Sequence, residues 1–257
     1  MSKRKYSSLR KRDRERYYDS PEQTYYTNPS KTIDFTQSQP RPKAKPKSAE
    51  LVPKSVNQEK YIIALQDSST DIVVVSGPAG TGKTYLGMIA ALRALQAGTC
   101  KNIILTRPAV GVDDEKHGFL PGDLNAKMEP WTRPLFDVVR EFYSPKDIAY
   151  MVEEQTIEIA PLAFCRGRNF KNSWIIGDEM QNATPNQMKM LLTRIGHGSK
   201  IVITGDVEQT DRKLSDNGLL HLTSQLSKTP IPGIVNCQFD SRDVQRHKLI
   251  SSILTLY

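Results

Sequence analysis

From about residue 55 the chain alternates short apolar runs with amphipathic stretches. Ile72–Ser76 (IVVVS) is β-branched and has no polar alternation, as a strand buried on both faces requires. A helix is predicted from about Lys83 to Ala97, ended by Gly98, and Ile103–Thr106 reads as the next strand. A Pro/Gly-containing loop, RPAVGVDDEKHGFLPGD, then precedes helical text near residues 127–143. Thr156–Ala160 and Trp174–Gly177 are further strand candidates. Thr184-Pro185-Asn186-Gln187 has the form of a capping box with proline at the first helical position, opening a helix that runs to about Gly196. Ile201–Thr204 is another buried strand, helical text resumes at Gly218, and Ile234–Phe239 precedes a closing helix expected from about Arg242. Strands alternating with helices predict an α/β fold, with a mostly parallel sheet flanked by helices.

Residues 1–54 have a different texture. They hold few aliphatic residues, six of the sixteen prolines, and 14 basic against 6 acidic side chains. Residues 55–257 carry 22 of each sign, so the whole net charge of +8 lies in the first segment. The chain therefore divides into a basic tail (1–54), expected to be disordered because it cannot bury enough apolar surface, and an electroneutral domain (55–257). A domain of that size buries roughly 70% of its unfolded surface and holds one core. Tyrosines at 6, 17, 18, 25 and 26 beside the basic cluster suit either a single nucleic-acid strand or plain solubilisation. No apolar run reaches the ~18 residues of a membrane span. The N-terminus lacks the apolar stretch of a signal peptide, and Cys100, Cys165 and Cys237 form no zinc pattern. A cytoplasmic protein is expected.

Three strand ends carry chemistry. Gly77-Pro78-Ala79-Gly80-Thr81-Gly82-Lys83-Thr84 fits G-x-x-x-x-G-K-[ST] between a strand and a helix. Its backbone amides would cradle phosphates, Lys83 would reach the β- and γ-phosphates of ATP, and the Thr84 hydroxyl would ligate Mg²⁺. The strand Trp174–Gly177 ends in Asp178-Glu179, where Asp178 would hold the metal and Glu179 would polarise the attacking water. A hydrolase needs that second carboxylate and a small-molecule kinase does not. After Ile201–Thr204, Gly205-Asp206-Val-Glu-Gln209 places a glutamine able to sense the γ-phosphate or the lytic water. Upstream, Gln58 on a lead-in helix is a candidate for the adenine edge, with Tyr61 stacked nearby; an ordinary helix-start amide fits equally well.

These strings, together with Thr106-Arg-Pro108, Gly118-Phe-Leu-Pro-Gly-Asp123, Pro161-Leu-x-x-x-Arg166-Gly-Arg168, Leu192-Thr-Arg194 and Phe239-x-x-x-Asp243-Val-x-Arg246-His247, resemble the PhoH family of ATPases over about residues 55–254. The resemblance implies a single RecA-like P-loop NTPase domain, similar in its core to superfamily 1 helicases, where the Gly-Asp-x-x-Gln string couples the nucleotide to a bound strand. Residues 1–54 show no KH-like or PIN nuclease module, so intrinsic nuclease activity is not expected. The compact form resembles versions carried by bacteriophages.

Superfamily 1 helicases close their ATP site with a second RecA-like domain, and this chain has residues for one. The positive charge needed in the transition state is therefore expected from a neighbouring copy in a closed ring, a hexamer by expectation. Arg246 is the first candidate, with Arg107, Arg194 and the Arg166/Arg168 pair as alternatives. The leading expectation is a Mg²⁺-dependent ATPase that acts as a motor or remodeller on single-stranded RNA or DNA, with the residues at 164–171 as a possible strand channel. A non-translocating ATPase switch acting on a protein partner is the alternative. A phosphotransferase fits Glu179 poorly.

Overall fold

A computed structural model of the chain describes residues 50–108, 124–211 and 213–245. Residues 1–49 of the tail, the Gly118–Asp123 string and Arg246 lie outside the described residues. Six parallel strands form one sheet: β1 (Ile72–Ser76), β2 (Asn102–Thr106), β3 (Ile157–Ile159), β4 (Ser173–Gly177), β5 (Lys200–Gly205) and β6 (Ile234–Gln238). Their order across the sheet is β3-β2-β4-β5-β1-β6, every pairing parallel. In this RecA-like arrangement, the strand before the phosphate loop and the strand before Asp178 are separated by one strand, β5.

Every residue of β1 and of β4 is buried, as their unbroken apolar text requires. Because side chains alternate across a strand, the sheet feeds two cores. Val73, Val75, Ile103, Leu105, Ile176 and Val202 face one core with helices α1 (Val56–Gln66), α2 (Lys83–Gln96), α3 (Leu124–Arg140) and α4 (Pro145–Glu153). Val74, Ile104, Ile175, Ile201 and Ile203 face the other with α5 (Pro185–Leu192) and α6 (Gly218–Lys228). Helices on both faces leave the carboxyl ends of the strands open, where such sheets place their ligands.

Three boundaries differ from the sequence reading. Helix α4 was not anticipated, although Ser144 and Asp147 build a complete capping box with Pro145 at its start. Its nine residues are too few to stand out by periodicity. Where the closing helix was expected to start, Ser241–Asp243 is one 3₁₀ turn and Val244 is extended; the rest of that expected helix, from residue 246 on, lies outside the described residues. Leu51 packs against the first core, so the folded body begins before residue 55.

The expected capping box of α5 is present, with Thr184 Oγ1 accepting from the Gln187 amide and Gln187 Oε1 accepting from the Thr184 amide. Thr184→Ala removes the cap and should lower stability by about 1 kcal/mol. Thermal unfolding checks this, with an expected drop in Tm of roughly 2–4 °C.

Candidate functional site

The loop between β1 and α2 is shaped by what stands behind it. A side chain at Gly77 would place its Cβ 2.6 Å from the Phe239 carbonyl oxygen, so no residue but glycine lets β1 turn out beside β6. Lys83 opens α2, and its ammonium donates to the carbonyls of Gly77 (2.6 Å) and Pro78 (2.7 Å). The cation is thus held inside the loop, at the mouth of a cleft of about 240 Å³. Loop residues Gly80 and Gly82 with Lys83 and Thr84 line one wall, and Asp178, Glu179, Asp206 and Gln209 line the other.

The strand order explains how the two walls are joined. Asp178 follows β4, Thr84 lies in the first turn of α2, and β5 runs between β1 and β4. Thr204, near the end of β5, donates its hydroxyl to Asp178 Oδ1 at 2.6 Å, and Thr84 donates to the same oxygen at 2.7 Å. Thr84 gives its hydrogen to the carboxylate and keeps its oxygen lone pairs for a cation. A hydroxyl and a carboxylate in contact, with phosphate oxygens to complete the shell, are the hard oxygen donors that suit Mg²⁺. Among the described residues there is no group of three or more His, Cys, Asp or Glu able to hold a metal by themselves. The residues present therefore fit a metal that arrives with a nucleotide.

Glu179 sits at φ +53°, a left-handed conformation that costs a non-glycine residue about 1 kcal/mol or more. Gln181 receives its carboxylate: Gln181 Nε2 donates to Glu179 Oε2 at 2.6 Å and to the Gln209 carbonyl at 3.0 Å, while the Asp206 amide donates to Gln181 Oε1 at 3.2 Å. Gln181 is 1% exposed. A Cβ on Gly205 would lie 2.5 Å from Gln181 Oε1, which is why glycine ends β5. Arg107, following β2, lies 3.7 Å from Glu179 Oε1. Gln209 is exposed at the cleft wall, tied through its backbone to Gln181. The sequence reading gave Gln181 no task. Its spacing two residues after Glu179 was the available signal, but the αL turn that folds it back is a backbone event.

Other expected residues stand elsewhere. Gln58 is 3% exposed, behind the loop: its Nε2 donates to the Thr81 carbonyl at 2.9 Å and its Oε1 accepts from the Lys54 amide at 2.7 Å. Tyr61 is fully buried, donates to the Lys83 carbonyl at 3.1 Å, and meets Phe239 edge to face, so it presents no ring to an adenine. Burial holds its phenol well above the usual tyrosine range. Both residues brace the phosphate loop from below. A second brace comes from the segment after β6, where the Gln245 amide donates to the Gly80 carbonyl at 2.8 Å. Buried Asp243 accepts from Asn57 Nδ2 at 2.9 Å, fastening that segment to α1. Arg168 is paired with Glu158, and Arg194 donates to the carbonyls of Met190 and Arg168, so neither reaches the cleft.

The chain has relatives among known proteins. A family profile described as PhoH-like protein matches residues 50–257. A PhoH-like protein of Synechocystis is 44% identical over 83% of this chain and 64% of its own length. One from Bacillus subtilis is 45% identical over 79% of this chain and 63% of its own. The chain thus spans less than two thirds of the length of these relatives. Among solved structures, the Hef helicase domain of Pyrococcus furiosus matches with a TM-score of 0.40 at 14% identity, over 74% of this chain and 38% of that one.

The bracing role of Gln58 has a direct test. Gln58→Ala should weaken ATP and GTP binding by similar factors, because it loosens a loop that touches only phosphates. Titration with fluorescent analogues of both nucleotides reads this. A loss confined to ATP would return Gln58 to the adenine.

Proposed function

The chain belongs to the PhoH-like family, and from that premise we propose that its P-loop NTPase domain is a Mg²⁺-dependent ATP hydrolase coupled to single-stranded RNA or DNA. The observation that carries the reading is the pair of contacts that hold Asp178 against Thr84 while Glu179, one residue on, is turned by its αL backbone into the cleft beside the loop. When bound, Mg²⁺ would neutralise charge on the phosphates as they separate. The residues do the remaining work. Lys83 moves from the loop carbonyls to the phosphates, and Glu179, steadied by the Gln181 amide, takes a proton from water. Gln209 stands opposite, on the loop that Gln181 also holds, where it would sense the γ-phosphate. This arrangement supports a hydrolase over a phosphotransferase, because the second carboxylate has a built support of its own.

Arg107 supplies one cation to this site from within the same chain. Closure of the open side is proposed to come from a second copy in a ring, a hexamer in the simplest form, which would add Arg246 and exclude water. Charges in a closed cleft are screened less than charges facing bulk solvent. Coupling to a nucleic-acid strand would run through the Gln209 loop, since Gln181 ties that loop to Glu179.

Three outcomes test this reading. Glu179→Gln should retain ATP yet release phosphate at least about a hundredfold more slowly, the scale of a lost general base. Gln181→Met, which keeps the volume and removes the amide, should lower kcat by about tenfold, a change of ~1.4 kcal/mol, with KM nearly unchanged. Parent-rate turnover in the Glu179→Gln variant would refute the assignment. For assembly, inactive Glu179→Gln and Arg246→Ala chains should regain activity when mixed, because some sites then pair an intact Glu179 with an intact Arg246. Mixtures no more active than either variant alone would rule out the shared site.

A further inference from the structure

The chain after β3 makes a 3₁₀ turn, Leu162–Cys165, and a loop to Phe170 that the fold fixes firmly. The Leu162 amide donates to the Arg107 carbonyl at 3.2 Å. Cys165 and Phe170 are buried in the second core. Arg168 pairs with Glu158 through both terminal nitrogens and lies 4.6 Å over the Phe170 ring. The Phe170 amide donates to the Arg194 carbonyl at 2.9 Å, and Arg194 Nη1 returns a bond to the Arg168 carbonyl at 3.2 Å. A loop so anchored would normally turn its apolar residues inward. Phe164 is instead 61% exposed.

The loop that carries it is basic. Arg166 and Lys171 are exposed on the same loop, and Lys189 is exposed on α5, which packs against the 3₁₀ turn. Among the described residues no carboxylate pairs with Arg166. Residues 159–200 hold six Lys and Arg against two acids, and those two are Asp178 and Glu179 inside the cleft. The charge balance of residues 55–257 as a whole is zero, so this excess is local.

We propose that Phe164, Arg166 and Lys171 form a strand-binding platform, on which a base of single-stranded nucleic acid stacks against Phe164 while its phosphates meet the two cations. A rigidly held exposed aromatic amid unpaired positive charge is what a flexible, unpaired strand recognises. A protein partner would ask for a wider apolar patch than one ring. The platform also has a short connection to the cleft. The 3₁₀ turn that carries Phe164 starts at Leu162, which hangs on the Arg107 carbonyl, and the Arg107 guanidinium faces Glu179. A strand that shifts the loop would move a charge beside the water-activating carboxylate. This inference rests on the strand-coupled reading above and assigns it a surface.

The test uses the full chain and two fluorescent probes of about ten nucleotides, oligo-rU and oligo-dT, with anisotropy as the readout. Phe164→Ala should weaken binding by about tenfold, and Phe164→Trp should restore it, which a mere folding defect would not allow. Arg166→Gln should lower the slope of log affinity against log salt by roughly 0.7, one phosphate contact on a single strand. Phosphate release without oligonucleotide should be unchanged in both Phe164 variants. The probe whose affinity falls identifies the strand as RNA or DNA. Parent-like affinity in Phe164→Ala for both probes overturns the platform and leaves strand coupling standing. A parent chain that binds neither probe overturns both, while phosphate release in the same samples judges the hydrolase separately.

Discussion

One buried carboxylate oxygen organises this molecule. Asp178 Oδ1 accepts a hydroxyl hydrogen from Thr204 at the end of β5 and another from Thr84 in the first turn of α2. These two bonds join three neighbouring parts of the sheet's carboxyl edge. They also tie the Gly77–Thr84 loop to the strand end that carries Asp178 and Glu179. A buried carboxylate is tolerable only when hydrogen-bonded, so the two threonines are as much a condition of the fold as of the chemistry. The separation of β1 from β4 by β5 creates the gap that Thr204 fills.

From that oxygen, support spreads outward through polar contacts. The backbone turn at Glu179 brings its carboxylate to Gln181, and Gln181 reaches both Asp206 and Gln209. The string at the end of β5 is therefore tied to the string at the end of β4 by one side chain. On the opposite flank, Gln58, Tyr61 and the Gln245 amide hold the phosphate loop from beneath. The cleft is thus framed by residues distant in sequence, each satisfying a backbone group that the loop's open shape would otherwise leave unpaired.

Much of this was legible in the sequence. The strands β1, β4 and β5 announced themselves because a strand covered on both faces has no polar alternation to confuse the reading. Lys83, Thr84, Asp178 and Glu179 stood in spacings that fit a phosphate site, and the structure gathers all four around one cleft. What stayed hidden depended on long-range approach. Gln58 and Tyr61 looked like base contacts because helix text cannot say which face meets the loop, and the structure turns both toward its backbone. Gln181 was invisible as a bridge because two of its partners, Asp206 and Gln209, lie at another strand end. Helix α4 was too short for its period to register, and at Ser241–Asp243, where a helix start was expected, the described chain makes a 3₁₀ turn whose Asp240–Asp243 cap resembles one.

The central claim is that this cleft directs water at a γ-phosphate. Incubating the chain with ATP and Mg²⁺ in water enriched in heavy oxygen, then weighing the released phosphate by mass spectrometry, tests it most directly. The account predicts phosphate carrying one oxygen from the solvent. No released phosphate, or the γ-phosphoryl group recovered on another acceptor without solvent oxygen, would contradict it.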